Sequence, residues 1–165
     1  MMPTAPKPAG FAGKHNHAKC ITSALAAAEQ CCTQNGTRFT ALRRRVLELI
    51  WQGHQPVTAY ALIKALRKEK ENTEPPTVYR ALEFLLQNNL IHRIESQNAY
   101  VGCEYPEKEH RSQFMICAHC EQATELENSI VIERAIASQA SKLGFTVTSS
   151  TIEINGVCPA CSTSK

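Results

Sequence analysis

Two cysteine pairs, Cys117-Ala-His-Cys120 and Cys158-Pro-Ala-Cys161, carry the most chemically specific pattern in the chain. Each pair presents two thiolates from one tight turn, and two such turns complete the tetrahedral sulfur shell that zinc favours. The 37 residues between Cys120 and Cys158 exceed the spacing of a simple zinc ribbon. A helix and strands must therefore lie between the turns, and a metal there would staple the ends of one folded unit. A second set of donors, His92, Cys103, His110 and Glu125, is scattered across the middle of the chain. One Cys, two His and a carboxylate make a mixed shell that suits zinc and stays sensitive to pH. Sequence distance alone does not select these four, and each reads individually as an ordinary polar residue.

Other chemistries have weaker claims. All fifteen acidic residues are Glu, so any mechanism that needs an Asp nucleophile, base or magnesium ligand is excluded. His119-Cys-Glu121 followed by the second Cys pair superficially resembles the zinc deaminase pattern. Its proline, however, sits inside the pair instead of before it, and that reading strands Cys117 and Cys120. A thiol redox sensor using Cys31-Cys32 or a CxxC pair is a further rival. Cys31 and Cys32 lie on or beside an apolar helical stripe, where burial as small hydrophobes is the expected role.

The elements that must position these residues follow from periodicity and caps. Residues 1–19, with Pro3, Pro6, Pro8, Gly10 and Gly13, read as a flexible tail containing His15 and His17. Ile21, Ala24, Leu25, Ala28, Cys31 and Cys32 fall at helical spacing, and Asn35-Gly36 stops that helix. Thr40 caps a second helix that carries Leu42, Val46, Leu47 and Ile50 inward, with Arg43, Arg44 and Arg45 at its start. Thr58 caps a third, with Lys64, Arg67 and Lys68 on its outer side. Pro75-Pro76-Thr77 opens a fourth, whose Val78, Leu82, Leu85 and Leu86 turn inward while Thr77, Tyr79 and Arg80 do not. Strands over 90–95 and 99–103 flank a polar turn at Ser96-Gln97-Asn98.

Short helices followed by a β-hairpin outline a winged helix-turn-helix, with the fourth helix in the major groove. Tyr79 and Arg80 near its start occupy the place of base-contacting side chains. Residues 104–112 read as a hinge. Beyond it, strands over 113–116 and 124–126 are expected, then a helix capped by Asn128 that carries Ile132, Ala135, Ile136 and Leu143. Strands over 145–148 and 151–154 finish the unit. The fold class is α+β: a winged-helix domain over 20–103, a hinge, a zinc-binding α/β domain over 113–161 and a tail over 162–165.

Charge follows the same division. Residues 36–94 hold ten Lys/Arg against five Glu, and residues 95–165 hold five against nine. A basic half points to nucleic acid. No apolar run is long enough for a membrane helix, and the N-terminal stretch does not read as a secretory signal. The expected location is the cytoplasm, where eight cysteines are better read as metal-binding thiols than as disulfides.

The stretch Pro75-Pro-Thr-Val-Tyr-Arg-Ala-Leu82 resembles the recognition helix of the ferric uptake regulator family, and the paired CxxC arrangement is similar too. The wing, His92-Arg-Ile-Glu-Ser-Gln-Asn-Ala-Tyr-Val-Gly-Cys103, looks most like the zinc-responsive branch. The resemblance extends from about Cys20 to Cys161 and implies a homodimeric repressor of palindromic, AT-rich operators, neither an enzyme nor a binder of a small-molecule substrate. It implies two zinc ions per chain: a structural one on Cys117, Cys120, Cys158 and Cys161, and a regulatory one on His92, Cys103, His110 and Glu125. Tyr60 and Arg80 match DNA-contacting positions, while Arg43, Arg44 and Lys64 are candidates for phosphates. Iron-sensing members carry a His-rich cluster before the first CxxC, where this chain has His110 alone. The peroxide-sensing branch uses Asp ligands, and this chain has none. With Cys103 present, both departures favour zinc over iron or manganese.

Overall fold

A computed structural model describes residues 11, 17–53, 55–106, 110–126 and 130–163. Most of the expected tail, including His15, lies outside the described residues, as do Asn128 with its capping role, part of the hinge and the last two residues. The first helix, α1 (His17–Gln34), begins inside the stretch expected to be tail. Its Ala28 and Cys32 are buried. Helix α2 (Ala41–Ile50) starts where the Thr40 side chain accepts a hydrogen bond from the Arg43 amide. Helix α3 (Ala59–Glu69) starts where Thr58 does the same for Ala61. Helix α4 (Pro75–Gln87) opens on proline, whose missing N–H costs nothing in a first turn. Val46, Leu47, Ile50, Leu62, Val78, Leu82 and Leu85 bring these stripes together in one core.

The hairpin is β2 (Ile91–Ile94) and β3 (Ala99–Gly102), and a short β1 (Val57–Thr58), absent from the sequence reading, pairs on the other side of β3. Two residues carry too little periodicity to be recognised before their partner is known. The turn is a single 3-10 turn at Glu95–Gln97, closed by Asn98 in the left-handed region at φ 47°. Asn tolerates that conformation better than most residues.

The wing is covered on both faces, so its strands lack the simple inside-outside alternation of a solvated sheet. Ile91 and Tyr100 belong to the helical core. Ile94 and Val101 face the other way, into a second core with Phe114, Ile116 and Ala123. Those three come from β4 (Gln113–Cys117) and β5 (Ala123–Glu125). Strand β6 (Ile152–Gly156) pairs parallel to β4 on its other edge. A parallel pair needs a crossover, and α5 (Ile130–Lys142) lies in it. The last short helix is α6 (Pro159–Ser162).

One expectation for this half requires correction. Residues 145–148 form no strand, and Phe145 is 67% exposed; among the described residues of the chain, no strand pairs with that backbone to give it a ladder. The apolar stripe of Ile132, Ala135 and Ile136, with Leu143 just beyond the helix, is left uncovered within the chain: α5 has no buried residue, and Leu143 is 82% exposed.

Candidate metal centres and nucleic-acid face

The four sulfurs of Cys117, Cys120, Cys158 and Cys161 come from two backbone turns laid side by side by the β4–β6 pairing. Cys117 ends β4 opposite Gly156. The Ala118 amide donates to the Gly156 carbonyl at 2.8 Å, locking one turn to the other. Glu121 takes φ 58° as the chain leaves the first turn, and Cys158 precedes Pro159 at the start of α6. All four Sγ atoms lie within 4.8 Å of one another. A tetrahedron with zinc–sulfur bonds of about 2.3 Å has edges of about 3.8 Å. The Sγ atoms of Cys120 and Cys158 are 3.8 Å apart, so the spacing and donor chemistry fit the ion. Backbone amides of Cys120 and Cys158 hold the Cys117 thiol down at about 6, against the opposing effect of burial. A thiolate is thus favoured at Cys117, whereas the neighbouring Cys158 thiol first, and burial second, push the Cys161 thiol up to about 12. His119 of the deaminase-like pattern is exposed and outside this group.

The mixed cluster draws on four separate pieces of backbone. His92 lies on β2, Cys103 just beyond β3, His110 on the segment before β4 and Glu125 at the end of β5. The structure brings these four together, with one ligand atom from each inside 4.8 Å. His92 Nε2 and His110 Nε2 are 3.2 Å apart, and Cys103 Sγ is 3.7 Å from His110 Nε2. Tetrahedral edges are about 3.3 Å between two nitrogens and about 3.6 Å between nitrogen and sulfur, so these separations also fit zinc. Glu125 Oε1 stands at hydrogen-bonding distance from both imidazoles, 2.7 Å from His110 and 2.9 Å from His92. Protons and a metal therefore compete for the same lone pairs.

Two supporting groups escaped the sequence reading. Ser112 Oγ lies 2.9 Å from His92 Nδ1, which orients the ring with Nε2 toward the cluster. The Glu104 amide donates to Glu125 Oε2 at 2.9 Å, holding that carboxylate from behind. Burial raises the Glu125 carboxyl, but the hydrogen bond and charge of His92, the Glu104 amide and His110 together outweigh it and hold it below the ordinary range. Burial first, and the Glu125 charge second, push the Glu104 carboxyl up to about 7. Burial also drives the Cys103 thiol well above its usual range, so a cation must supply the stabilisation for its thiolate. No sequence signal marks Ser112 or Glu104, because both act through neighbours distant in the chain.

Thr77, Tyr79 and Arg80 stand exposed at the first turns of α4, and Tyr60 and Lys64 are exposed on α3. The arginine run is used differently. Arg43 lies 3.4 Å over the Phe84 ring and donates to the Arg38 carbonyl. Arg44 pairs with Glu29, and Arg45 pairs with both Glu69 and Glu48. These three guanidiniums fasten α2 to its surroundings.

The model of the ferric uptake regulator family matches residues 34–155. The zinc uptake regulation protein of Escherichia coli strain K12 is 38% identical over 138 residues, which cover 83% of this chain and 80% of that protein. A zinc uptake regulator complexed with zinc and DNA superposes with a TM-score of 0.80 at 36% identity, covering 91% of this chain and 97% of that one. Holo XcZur gives 0.77 at 40% identity, over 85% of this chain and 97% of the other. Apo XcZur, at 39% identity over 86% and 97%, gives 0.51.

Proposed function

This chain belongs to the ferric uptake regulator family, and from that premise we propose that it is a zinc-responsive transcriptional repressor. As a homodimer holding two zinc ions per chain, it binds palindromic, AT-rich operators of zinc uptake genes and blocks transcription. It works on DNA in the cytoplasm and is not an enzyme. Residues 20–103 are the DNA-binding domain, 104–112 the hinge and 113–161 the dimerisation domain. The exposed apolar residues of α5, with Leu143 and Phe145, are the surface that a second copy covers.

The observation that carries this reading is where the mixed cluster lies. His92 and Cys103 belong to the wing and Glu125 to the C-terminal sheet, so one shell ties the two halves together. A zinc ion supplies a single charge centre that rewards all four donors for converging. His92, oriented by Ser112, and Glu125, held by the Glu104 amide, then keep the wing docked. In a dimer, that fixes both α4 helices at the spacing of an operator's half-sites, so the ordering cost is met before DNA arrives. Arg80 reads a base edge, Thr77, Tyr79 and Tyr60 line the groove, and Lys64 contacts phosphate. Arg43 and Arg44 reach phosphates only by giving up their contacts with Phe84 and Glu29. A cluster containing Cys103, in a chain without Asp, favours zinc over iron or manganese.

The test is anisotropy on an AT-rich palindromic duplex, with free zinc, iron and manganese each buffered. Binding that appears with zinc alone, at very low free concentration, is the expected result. An equal response to iron would remove zinc from the proposal, and binding independent of metal would remove the switch.

A further inference from the structure

Among the described residues, other contacts besides the mixed cluster also join the N-terminal half to the C-terminal one, and three of them bear on the wing and its flank. Ile94 and Val101 pack on Phe114, Ile116 and Ala123. Gln55 Nε2, before β1, donates to the Cys120 carbonyl at 2.8 Å. Glu153, on β6, accepts two hydrogen bonds from the tip of the wing: from the Glu95 amide at 2.6 Å and from the Ser96 amide at 3.2 Å.

The third contact differs in kind from the others. It uses both oxygens of one carboxylate on two successive N–H groups, at the start of a turn whose first amides have no partner within it. Bonds to an ionised acceptor are about twice as strong as neutral ones. Burial works against the charge on Glu153, but the Ser96 side chain and the Glu95 and Ser96 amides together keep its carboxyl below the ordinary range. Glu153 is outside both sulfur and mixed clusters. When the wing leaves the sheet, these bonds break and water replaces them, so they favour the docked arrangement alone.

We propose that Glu153 is a positioning residue for DNA binding, a carboxylate latch that holds the wing tip on β6 and thereby fixes the DNA-binding unit against the rest of the molecule. The inference rests on the repressor reading. Latch and mixed cluster stabilise the same docked state, so the loss of one weakens what the other supports.

The experiment compares full-length wild type, Glu153→Ala and Glu153→Gln, zinc-loaded at fixed free zinc. Trp51 is the only tryptophan in the chain and shares a pocket with Phe114, Ala123 and Glu125 across the junction, so its emission reports docking without DNA. Glu153→Ala should shift that emission to the red and weaken operator binding about tenfold. Glu153→Gln, which keeps one neutral acceptor, should lose about threefold. Zinc on the four cysteines and the thermal transition of the helical core should stay as in wild type. Wild-type emission and affinity in both variants would overturn the latch. Loss of the four-cysteine zinc or of the helical transition would also overturn it, by making Glu153 a folding residue. If wild type itself ignored the duplex, the repressor reading would fall while Trp51 emission still decided the latch.

Discussion

In the function proposed above, the two clusters use similar donors to opposite ends, and the difference lies in the backbone behind them. The four-sulfur group comes from two short turns held edge to edge by one β4–β6 ladder. Every donor is part of the same small unit, so the group exists whenever that unit is folded. The mixed group takes one donor from each of four segments on both sides of the wing–sheet junction, and it forms only when that junction is closed. A staple and a switch can share a metal. What separates them is whether the donors already move as one body.

The deepest cut at that contrast is Cys158→Ser. A structural zinc site contributes about 10–16 kcal/mol to the folding of a small domain, so this variant should lose one zinc per chain and melt the β4–β5–β6 unit. Metal analysis and circular dichroism read both effects; a variant that kept metal and melting point would show that the sulfurs are no staple. Cys103→Ser should leave the fold and the four-sulfur zinc intact while weakening operator binding at fixed free zinc about 100-fold. If its zinc-dependent binding matched wild type, the switch would have to be placed elsewhere.

Smaller effects sharpen the comparison. Ser112→Ala removes the hydrogen-bond partner of His92 Nδ1 and should weaken the mixed site about tenfold in chelator competition. The four-sulfur site, which has no such support from Ser112, should be unchanged. Glu104 gives the mildest test, in metal-free protein. Its folded-state pKa, about 7, is above the ordinary carboxylate value. Its contribution is therefore fully present below about pH 4.5 and is lost as pH rises toward 7. Glu104→Gln should be the more stable protein at pH 8, by about 1 kcal/mol after allowance for its partial exposure. Thermal melts of both proteins at pH 5 and 8 check the sign; an advantage confined to pH 5 contradicts it.

Much of the fold was legible because its causes are local. Thr40 and Thr58 cap the helices they were expected to cap, since capping involves residues only three apart. The stripe of Val78, Leu82 and Leu85 closed on the core because helical periodicity needs no knowledge of the partner. The absent strand at 145–148 and the uncovered face of α5 show the limit of that method: periodicity states that a face is apolar, not what will cover it. Likewise, Arg43 to Arg45 announced a basic cluster, but only packing set one over Phe84 and two against carboxylates.

By itself, the sequence determined the spacing of the four cysteines, the caps and stripes of the helices and the hairpin beyond them. All of these depend on neighbours a few residues away. The resemblance of its motifs to a family supplied the second donor set, which spacing could not select. Only the tertiary structure decided that His92, Cys103, His110 and Glu125 converge, that Ser112 and Glu104 stand behind them, and that Glu153 reaches the wing. Those contacts depend on which face of the wing turns toward the sheet and on the register of β4 with β6. Both are outcomes of long-range pairing, which no window of the sequence contains.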